Sequence, residues 1–337
     1  DPDLAFLNDV SCVPLQQSLR HLQTAFVNFF AKRSAYPTFK KKHKTRDSAE
    51  YTRSGFRFDV THQQLTLAKL GVLDLRISRH VDVDPTTVTV TRHPSGRYYV
   101  SMVLEIAAPT ITRVKTGQSI GIDFGVTRLA ALSNGESIPN PKHLLRRTAL
   151  LARAQRRLSR KEIGSNRRLT QVRRVARLHE KIADARRDAL HKLSTSLVQR
   201  FDHIYLEDLH LRGLVQNHNL ARSLSDASIG TAIRLIASKA EASGVTVVKI
   251  DRWFPSSKHC STCGHVLDLL PLRTRRWACP QCHSDHDRDV NAAKNILAVG
   301  QTVTVRGAGV RTRRASVRRA TRRRSVNHSK GKSRTSS

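Results

Sequence analysis

Two Cys-x-x-Cys pairs, Cys260/Cys263 and Cys279/Cys282, are separated by fifteen residues and constrain this chain more than any other feature. Each pair can set two thiolates on one side of a tight turn, and two such turns close a tetrahedron around one zinc ion. Four thiolates leave no open coordination position, so the expected ion is structural. His259, His265 and His283 lie beside the pairs, but a four-cysteine site has no need of them; they are expected to be exposed or against phosphate. The fifth cysteine, Cys12, has no partner and reads as a small buried apolar residue. A disulfide framework would scatter paired cysteines through a short secreted chain. This chain is long and shows no export signal, which favours a reducing compartment and metal ligation.

The charge balance points to the partner. Lys and Arg number 60 against 26 Asp and Glu, giving a net charge of +34 over 337 residues. Such an excess calls for a polyanion, and nucleic acid comes before an anionic membrane. There is no apolar run near the roughly 18 residues of a membrane span and no signal-peptide pattern, so the expected location is cytoplasmic and nucleoid-associated. The chain opens on Asp1 rather than Met, which reads as a fragment lacking its true N-terminus.

Hydropathy periodicity divides the chain. Leu15, Leu19, Leu22, Phe26 and Phe29 recur at helical steps behind Pro14, predicting a helix over 14–31. Tyr36-Pro37-Thr38-Phe39 breaks it and leads into Lys40, Lys41, Lys42 and Lys44, a solvated face or a phosphate-contacting loop. From 51 to 108 the period becomes two, as at Val88 and Val90 and, beyond the Pro94-Ser95-Gly96 turn, at Tyr98, Val100 and Met102; a small antiparallel sheet or barrel is predicted. Ser119 to Asp123 and Leu129 to Leu132 read as strands. Residues 141–200 read as two basic antiparallel helices parted at Gly164-Ser165-Asn166, the second carrying a stripe of Leu169, Val172, Val175, Leu178, Ile182, Ala185, Ala189, Leu193 and Leu197. A strand at 204–207, a helix at about 229–242 and a strand at 245–250 complete an α/β pattern. A short helix is predicted from Asp287 to near Leu297. Past Gly300, arginines dominate without any carboxylate, which reads as a disordered basic tail.

Three acidic positions stand at the ends of predicted elements. Asp123 closes the strand of Gly121-Ile122-Asp123-Phe124-Gly125. A similar opening occurs in sugar-kinase and chaperone-type ATPases, but no second glycine-rich phosphate loop follows a later strand. Glu207 ends Ile204-Tyr205-Leu206; Asp208, its neighbour, should point to the opposite face. Asp287 and Asp289 open the last helix. Two-metal phosphodiester hydrolysis needs hard oxygen ligands from separate elements that hold two divalent ions about 4 Å apart, and magnesium suits such a site.

Several segments together resemble one family, the TnpB (OrfB) proteins of bacterial insertion sequences. They are Gly121 to Gly125, Leu206-Glu207-Asp208-Leu209, Trp253-Phe254-Pro255-Ser256-Ser257-Lys258, the four cysteines, and Asp287-Arg288-Asp289-Val290-Asn291-Ala292-Ala293-Lys294-Asn295-Ile296. Val13-Pro14-Leu15-Gln16-Gln17, Phe29-Phe30 and Tyr36-Pro37-Thr38-Phe39-Lys40 also look like that family. The resemblance covers about residues 10–300. It implies an α/β, ribonuclease-H-like (RuvC) nuclease core with an N-terminal helical and β-barrel region and an inserted zinc ribbon. It also implies Asp123, Glu207 and Asp289 as catalytic acids holding magnesium, with Asp289 rather than Asp287 at the family position before Asn-Ala-Ala. The implied domains are a partial helical recognition region (1–50), a wedge-like barrel (51–115), a nuclease core (116–258) carrying the helical hairpin (141–200), the ribbon (259–284), a final nuclease segment (285–300) and the tail (301–337). Against the family pattern, the first barrel strand and the opening recognition helices are expected to be missing.

Family members are relatives of the type V CRISPR effectors, understood as RNA-guided DNA endonucleases. The expected function is therefore a guided, magnesium-dependent endonuclease, with manganese able to substitute, acting on target DNA with a guide RNA from its element. Two alternatives stay open: a noncutting nucleic-acid-binding regulator of transposition, and a transposase that uses the same metal site for strand transfer.

Overall fold

A serine starts the first long element. The Ser11 hydroxyl accepts from the Val13 N–H and caps α1 (Cys12–Phe30). In this computed structural model, which describes residues 2–39, 47–78, 80–106, 113–216 and 218–305, α1 buries only Val13 and Gln17, one helical turn apart. Leu15, Leu19 and Leu22 are exposed, so the predicted stripe does not face the protein. Its distal end instead closes on itself, with Tyr36 edge-on to Phe26 and Phe29 at 5.7 and 5.2 Å. Cys12 is exposed rather than buried, because it sits one residue off the inward Val13–Gln17 line. The lysine run Lys40–Lys44 lies outside the described residues.

Six short strands follow: β1 (Asp47–Thr52), β2 (Phe56–Asp59), β3 (Gln64–Leu67), β4 (Gly71–Leu73), β5 (Thr87–Arg92) and β6 (Tyr98–Val103). They form two three-stranded antiparallel sheets, β1-β5-β6 and β2-β3-β4. Both enclose one core of Tyr51, Phe58, Leu65, Leu67, Val81 and Val88, the barrel-like unit that the period-two pattern predicts. The first strand begins at Asp47, paired with Arg92, ahead of the predicted start at 51. The tip of the β5–β6 hairpin, where Gly96 takes φ +85°, reaches the next region: Tyr99 donates to Glu180 at 2.7 Å.

The second region is built on β7 (Ser119–Phe124), β8 (Arg128–Leu132) and β9 (Ser137–Pro139), then α2 (His143–Ser159) and α3 (Asn166–Arg200). Next come β10 (His203–Glu207), α4 (Leu211–Gln216), α5 (His218–Ala227), α6 (Ile229–Ser243) and β11 (Thr246–Ile250). The chain closes with β12 (Arg276–Ala278), β13 (Asp285–Asp287) and α7 (Arg288–Val305). The five-stranded sheet runs β11-β10-β7-β8-β9, with β10 parallel to both β7 and β11, and β8 antiparallel to its neighbours. This is the α/β core expected from the sequence. In α3 the predicted stripe is buried at Ile182 and Leu197, whereas Leu169 and Val172 are exposed. The helix outruns the sheet there, and its early turns lie against α2, where Gln171 donates to the Ala154 carbonyl at 2.9 Å, and beside the β5–β6 turn, where Arg177 donates to the Ser95 carbonyl at 3.3 Å.

Strand periodicity sorts the two faces of the sheet. Ile120, Ile122, Ile204 and Leu206 point to one side and pack with Leu197 and Val198 of α3 and Ile236 and Ala240 of α6. Tyr205, Val248 and Ile250 point to the other and pack with Ile296 of α7. Gly121 shares that second face, and there a Cβ would lie 2.2 Å from the Ala293 carbonyl oxygen and 2.6 Å from the Leu297 nitrogen. Backbone therefore meets backbone, and only glycine fits. Gly300 repeats the device against the Tyr205 ring, 2.1 Å from a notional Cβ. It is thus a packing glycine rather than a stop, and α7 continues through it to Val305, past the predicted end near Leu297. The tail beyond 305 lies outside the described residues. Among the described residues, no helix is long and apolar enough to cross a membrane.

Gly121→Ala is expected to destabilise the protein by about 1–3 kcal/mol, the usual cost of forcing atoms into a packed interface. Denaturant unfolding measures it, and a midpoint equal to wild type would mean that α7 does not seat on β7 as described.

Candidate metal centres

Three acids converge at one end of the sheet. Leu206 is paired with Ile122 across the parallel β10–β7 ladder, so the next residues, Glu207 and Asp123, stand side by side. Both share the parity of Tyr205 and Gly121 and face α7. Asp289 occupies the first turn of α7, one turn ahead of Ala293, the residue seated on Gly121. The close Gly121 contact therefore delivers the third acid to the other two.

Electrostatics reports the same convergence. Burial, then the charges of Asp289 and Glu207, push Asp123 up to about 8 from an ordinary 3.8, against the opposing pull of Arg288 and Arg275. Burial and neighbouring Asp208 also raise Glu207. Carboxylates clustered against their own repulsion in a half-buried site are arranged for a cation.

The adjacent acids do other work. Asp287 accepts the N–H groups of Asp289 and Val290 at 3.1 and 3.2 Å and caps α7. Arg128 grips the same carboxylate with two contacts, of 3.0 and 2.9 Å. Although burial works to raise Asp287, Arg128 and the Val290 N–H bring it below the usual range. Asp208 turns away toward Arg252 and Lys249, which outweigh its burial and lower it. Of the four acids in these two adjacent pairs, the structure leaves Glu207 and Asp289 facing Asp123.

The four cysteines also assemble. One Sγ from each of Cys260, Cys263, Cys279 and Cys282 lies within 4.8 Å of all the others. Tetrahedral thiolates about 2.3 Å from zinc would stand roughly 3.8 Å apart, so the set can hold such an ion. Two matching turns build it. Gly264 N–H donates to the Cys260 carbonyl at 3.0 Å, and His283 N–H to that of Cys279 at 2.9 Å. Gly264 and His283 each take positive φ, +82° and +57°. His283 is thus a turn residue. Cys260 is fully buried, and although burial works to raise its thiol, the N–H groups of Cys263 and Thr262 lower it.

Sequence reasoning missed several residues here. Buried His286 brings Nε2 within 3.1 Å of the Cys260 Sγ, an outer contact able to support a thiolate ligand. Arg275, beside the ribbon strand β12, lies 3.4 Å from Asp289 and donates to Thr127 at 3.2 Å. Buried Asn291 and Asn295 of α7 clasp the ribbon neck. Asn291 donates to the His259 carbonyl at 2.7 Å and accepts from Ser261 N–H at 2.9 Å, while Asn295 donates to the Ser256 and His259 carbonyls at 2.8 and 2.6 Å. Their spacing, one turn apart on a helix face, was the available signal.

The chain is similar to known proteins. A family model described as "Probable transposase" (OrfB, IS605) matches residues 98–218, and a Cas12f1-like TNB-domain model matches 230–296. A protein of Streptomyces pristinaespiralis named "Putative RNA-guided DNA endonuclease" is 52% identical over 320 residues, covering 94% of this chain and 78% of the relative. The chain belongs to the TnpB (OrfB) family. InsQ of Escherichia coli (strain K12), which carries the same description, is 34% identical over 324 residues, covering 92% of this TnpB-family chain and 79% of its own. In a cryo-EM structure of the Cas12f1–sgRNA–target DNA complex, one chain aligns at TM-score 0.52 and 15% identity, over 82% of this chain and 69% of that one. That likeness shows a shared fold.

The raised Asp123 has a thermodynamic consequence. Without magnesium or manganese, the unfolded chain loses this proton near 3.8 while the folded chain keeps it until about 8. The folded state then binds more protons, so stability falls as pH rises through that interval. Denaturant midpoints between about pH 5 and 8 are expected to decline more steeply in wild type than in Asp123→Asn. Equal slopes would show that the site does not hold the proton.

Proposed function

We propose that this chain is an RNA-guided, metal-dependent DNA endonuclease of a transposable element, with Asp123, Glu207 and Asp289 as its catalytic carboxylates. The observation that carries the reading is the convergence of three acids from three distant segments, set against their own repulsion at one end of the sheet. Family membership supports it, and so do the names of the relatives.

The three carboxylates would hold two magnesium ions, or manganese in their place. Bound there, the ions would activate water and stabilise the leaving oxygen of a phosphodiester. Asp123 releases its proton to become a ligand, and Arg275 and Arg288 offset the charge of the emptied site. Arg275 is also placed to meet a phosphate oxygen once a cation satisfies Asp289. The cysteine site would hold structural zinc, which fixes the ribbon and, through Asn291 and Asn295, the start of the catalytic helix. Sequence specificity would come from guide pairing, with the basic surface holding the heteroduplex by its backbone.

The domain assignment follows the same reading: helical recognition region 1–50, wedge-like barrel 51–115, nuclease core 116–258 and 285–300, ribbon 259–284. Two element bounds adjust it, because β13 reaches Asp287 as the partner of β12, and α7 extends to Val305. The proposed place of action is the nucleoid.

The test is cleavage of a guide-matched DNA by protein purified with its element's RNA. Magnesium-dependent cutting is expected, falling by at least about a hundredfold in Asp123→Ala and Asp289→Ala, since mutating even an outer-shell partner of a metal ligand costs about 10- to 100-fold. The same preparation is expected to carry one zinc, depleted in Cys260→Ser. Cutting undiminished by both acid substitutions would overturn the catalytic assignment. Joining of element-end DNA without hydrolysis would favour strand transfer.

A further inference from the structure

The segment leaving β11 for the ribbon presents two aromatic rings in opposite senses. Phe254 packs inward beside Tyr205, Ile250 and Ile296, and its ring lies 5.6 Å from that of His259. Trp253 is turned outward and is 85% exposed. The turn between them is built: the Asp251 carboxylate accepts the Trp253 N–H at 2.9 Å, and Phe254 N–H closes on the Asp251 carbonyl at 3.3 Å. The indole is thus held out in solvent by an ordered turn with a half-buried anchor next to it. An indole is among the largest apolar groups a fold can bury, and Trp253 makes no use of that area in the folded chain.

Its position suggests the use. Ile250, the last residue of β11, is the register partner of Glu207, so the turn leaves the sheet at the end where the acids converge. Arg252, immediately before the indole, and Lys249 both reach Asp208, the residue after Glu207. A flat apolar face, flanking cations and a phosphodiester-directed site together fit one ligand chemistry. Single-stranded nucleic acid offers a free base face and an anionic backbone at once, whereas in a duplex the base faces are already stacked.

We infer that Trp253 is a stacking platform for an unpaired base of the DNA strand that passes the acids. The inference rests on the nuclease reading for the identity of the strand, and it deepens that reading by naming a residue that seats the substrate. Stacking is sequence-tolerant, so it would hold the strand without choosing a base.

Fluorescence tests it directly, because the chain has two tryptophans and the other, Trp277, is buried in the ribbon. Full-length protein that retains its zinc is titrated, without added magnesium or manganese, with single-stranded oligothymidylate. The red-shifted emission of an exposed indole is expected to be quenched in wild type, with no such quenching in Trp253→Phe. Trp253→Ala is expected to weaken binding by about 5- to 150-fold, the range for losing one base–aromatic stack, and Trp253→Phe to restore most of it. Unchanged affinity in Trp253→Ala would overturn the inference, as would equal quenching by a blunt duplex or quenching that persists in Trp253→Phe. Asp123→Ala separates the two readings. Quenching retained without cleavage supports the platform whatever becomes of the nuclease assignment, and guided cleavage without quenching removes the platform alone.

Discussion

The contact between Gly121 and the backbone of α7 is the constraint on which the rest of the structure depends. A sheet and a helix usually keep their distance because side chains stand between them. Here the missing side chain lets the Ala293 carbonyl and the Leu297 nitrogen come within reach of β7. That approach fixes the helix in height and rotation, because Ala292, Ala293 and Ile296 are all buried along the same contact. One turn earlier on the same helix stands Asp289. Its position relative to Asp123, two residues beyond Gly121 on the same strand face, is therefore set by packing rather than by any bond between the acids, whose charges repel.

The ribbon is tied to the same helix. Asn291 and Asn295 spend their buried amide hydrogens on carbonyls of the ribbon neck, and the Ser261 N–H returns a bond to Asn291. An unpaired buried amide or carbonyl would cost about 1–3 kcal/mol, so the neck is held firmly to α7. Arg275 crosses from the ribbon to Asp289 and Thr127, and β12 pairs with β13 immediately before the helix begins. A structural metal in the four-cysteine site and divalent ions at the acids would act through one shared element. This gives a physical reason for a ribbon to interrupt the nuclease core where it does.

Much of this was legible in the sequence because it rests on local pattern. The cysteine spacing, the apolar strands that end in Asp123 and Glu207, and the period-two barrel strands all carry their signals within a few residues. The parity argument that separated Glu207 from Asp208 needed only a strand. The choice between Asp287 and Asp289 was different. What occupies Asp287 is a capping role and the guanidinium of Arg128, which lies 159 positions away; only the family resemblance pointed to Asp289 instead. His286, Arg275 and the two asparagines were missed for the same reason, since their partners come from other elements. The last helix was expected to end near Leu297, whereas it runs to Val305 because Gly300 admits the Tyr205 ring. Apolar periodicity likewise marked the stripe of α1, although those leucines face away from the described structure.

The central claim is that Asp123, Glu207 and Asp289 form one divalent-cation site from which their sequence neighbours are excluded. Calorimetric titration with manganese compares Glu207→Gln directly with Asp208→Asn, two charge-neutralising changes at adjacent positions. Wild type and Asp208→Asn are expected to bind manganese alike, while Glu207→Gln loses the high-affinity isotherm. Loss of binding in Asp208→Asn equal to that in Glu207→Gln, or binding untouched in both, would contradict the site as described.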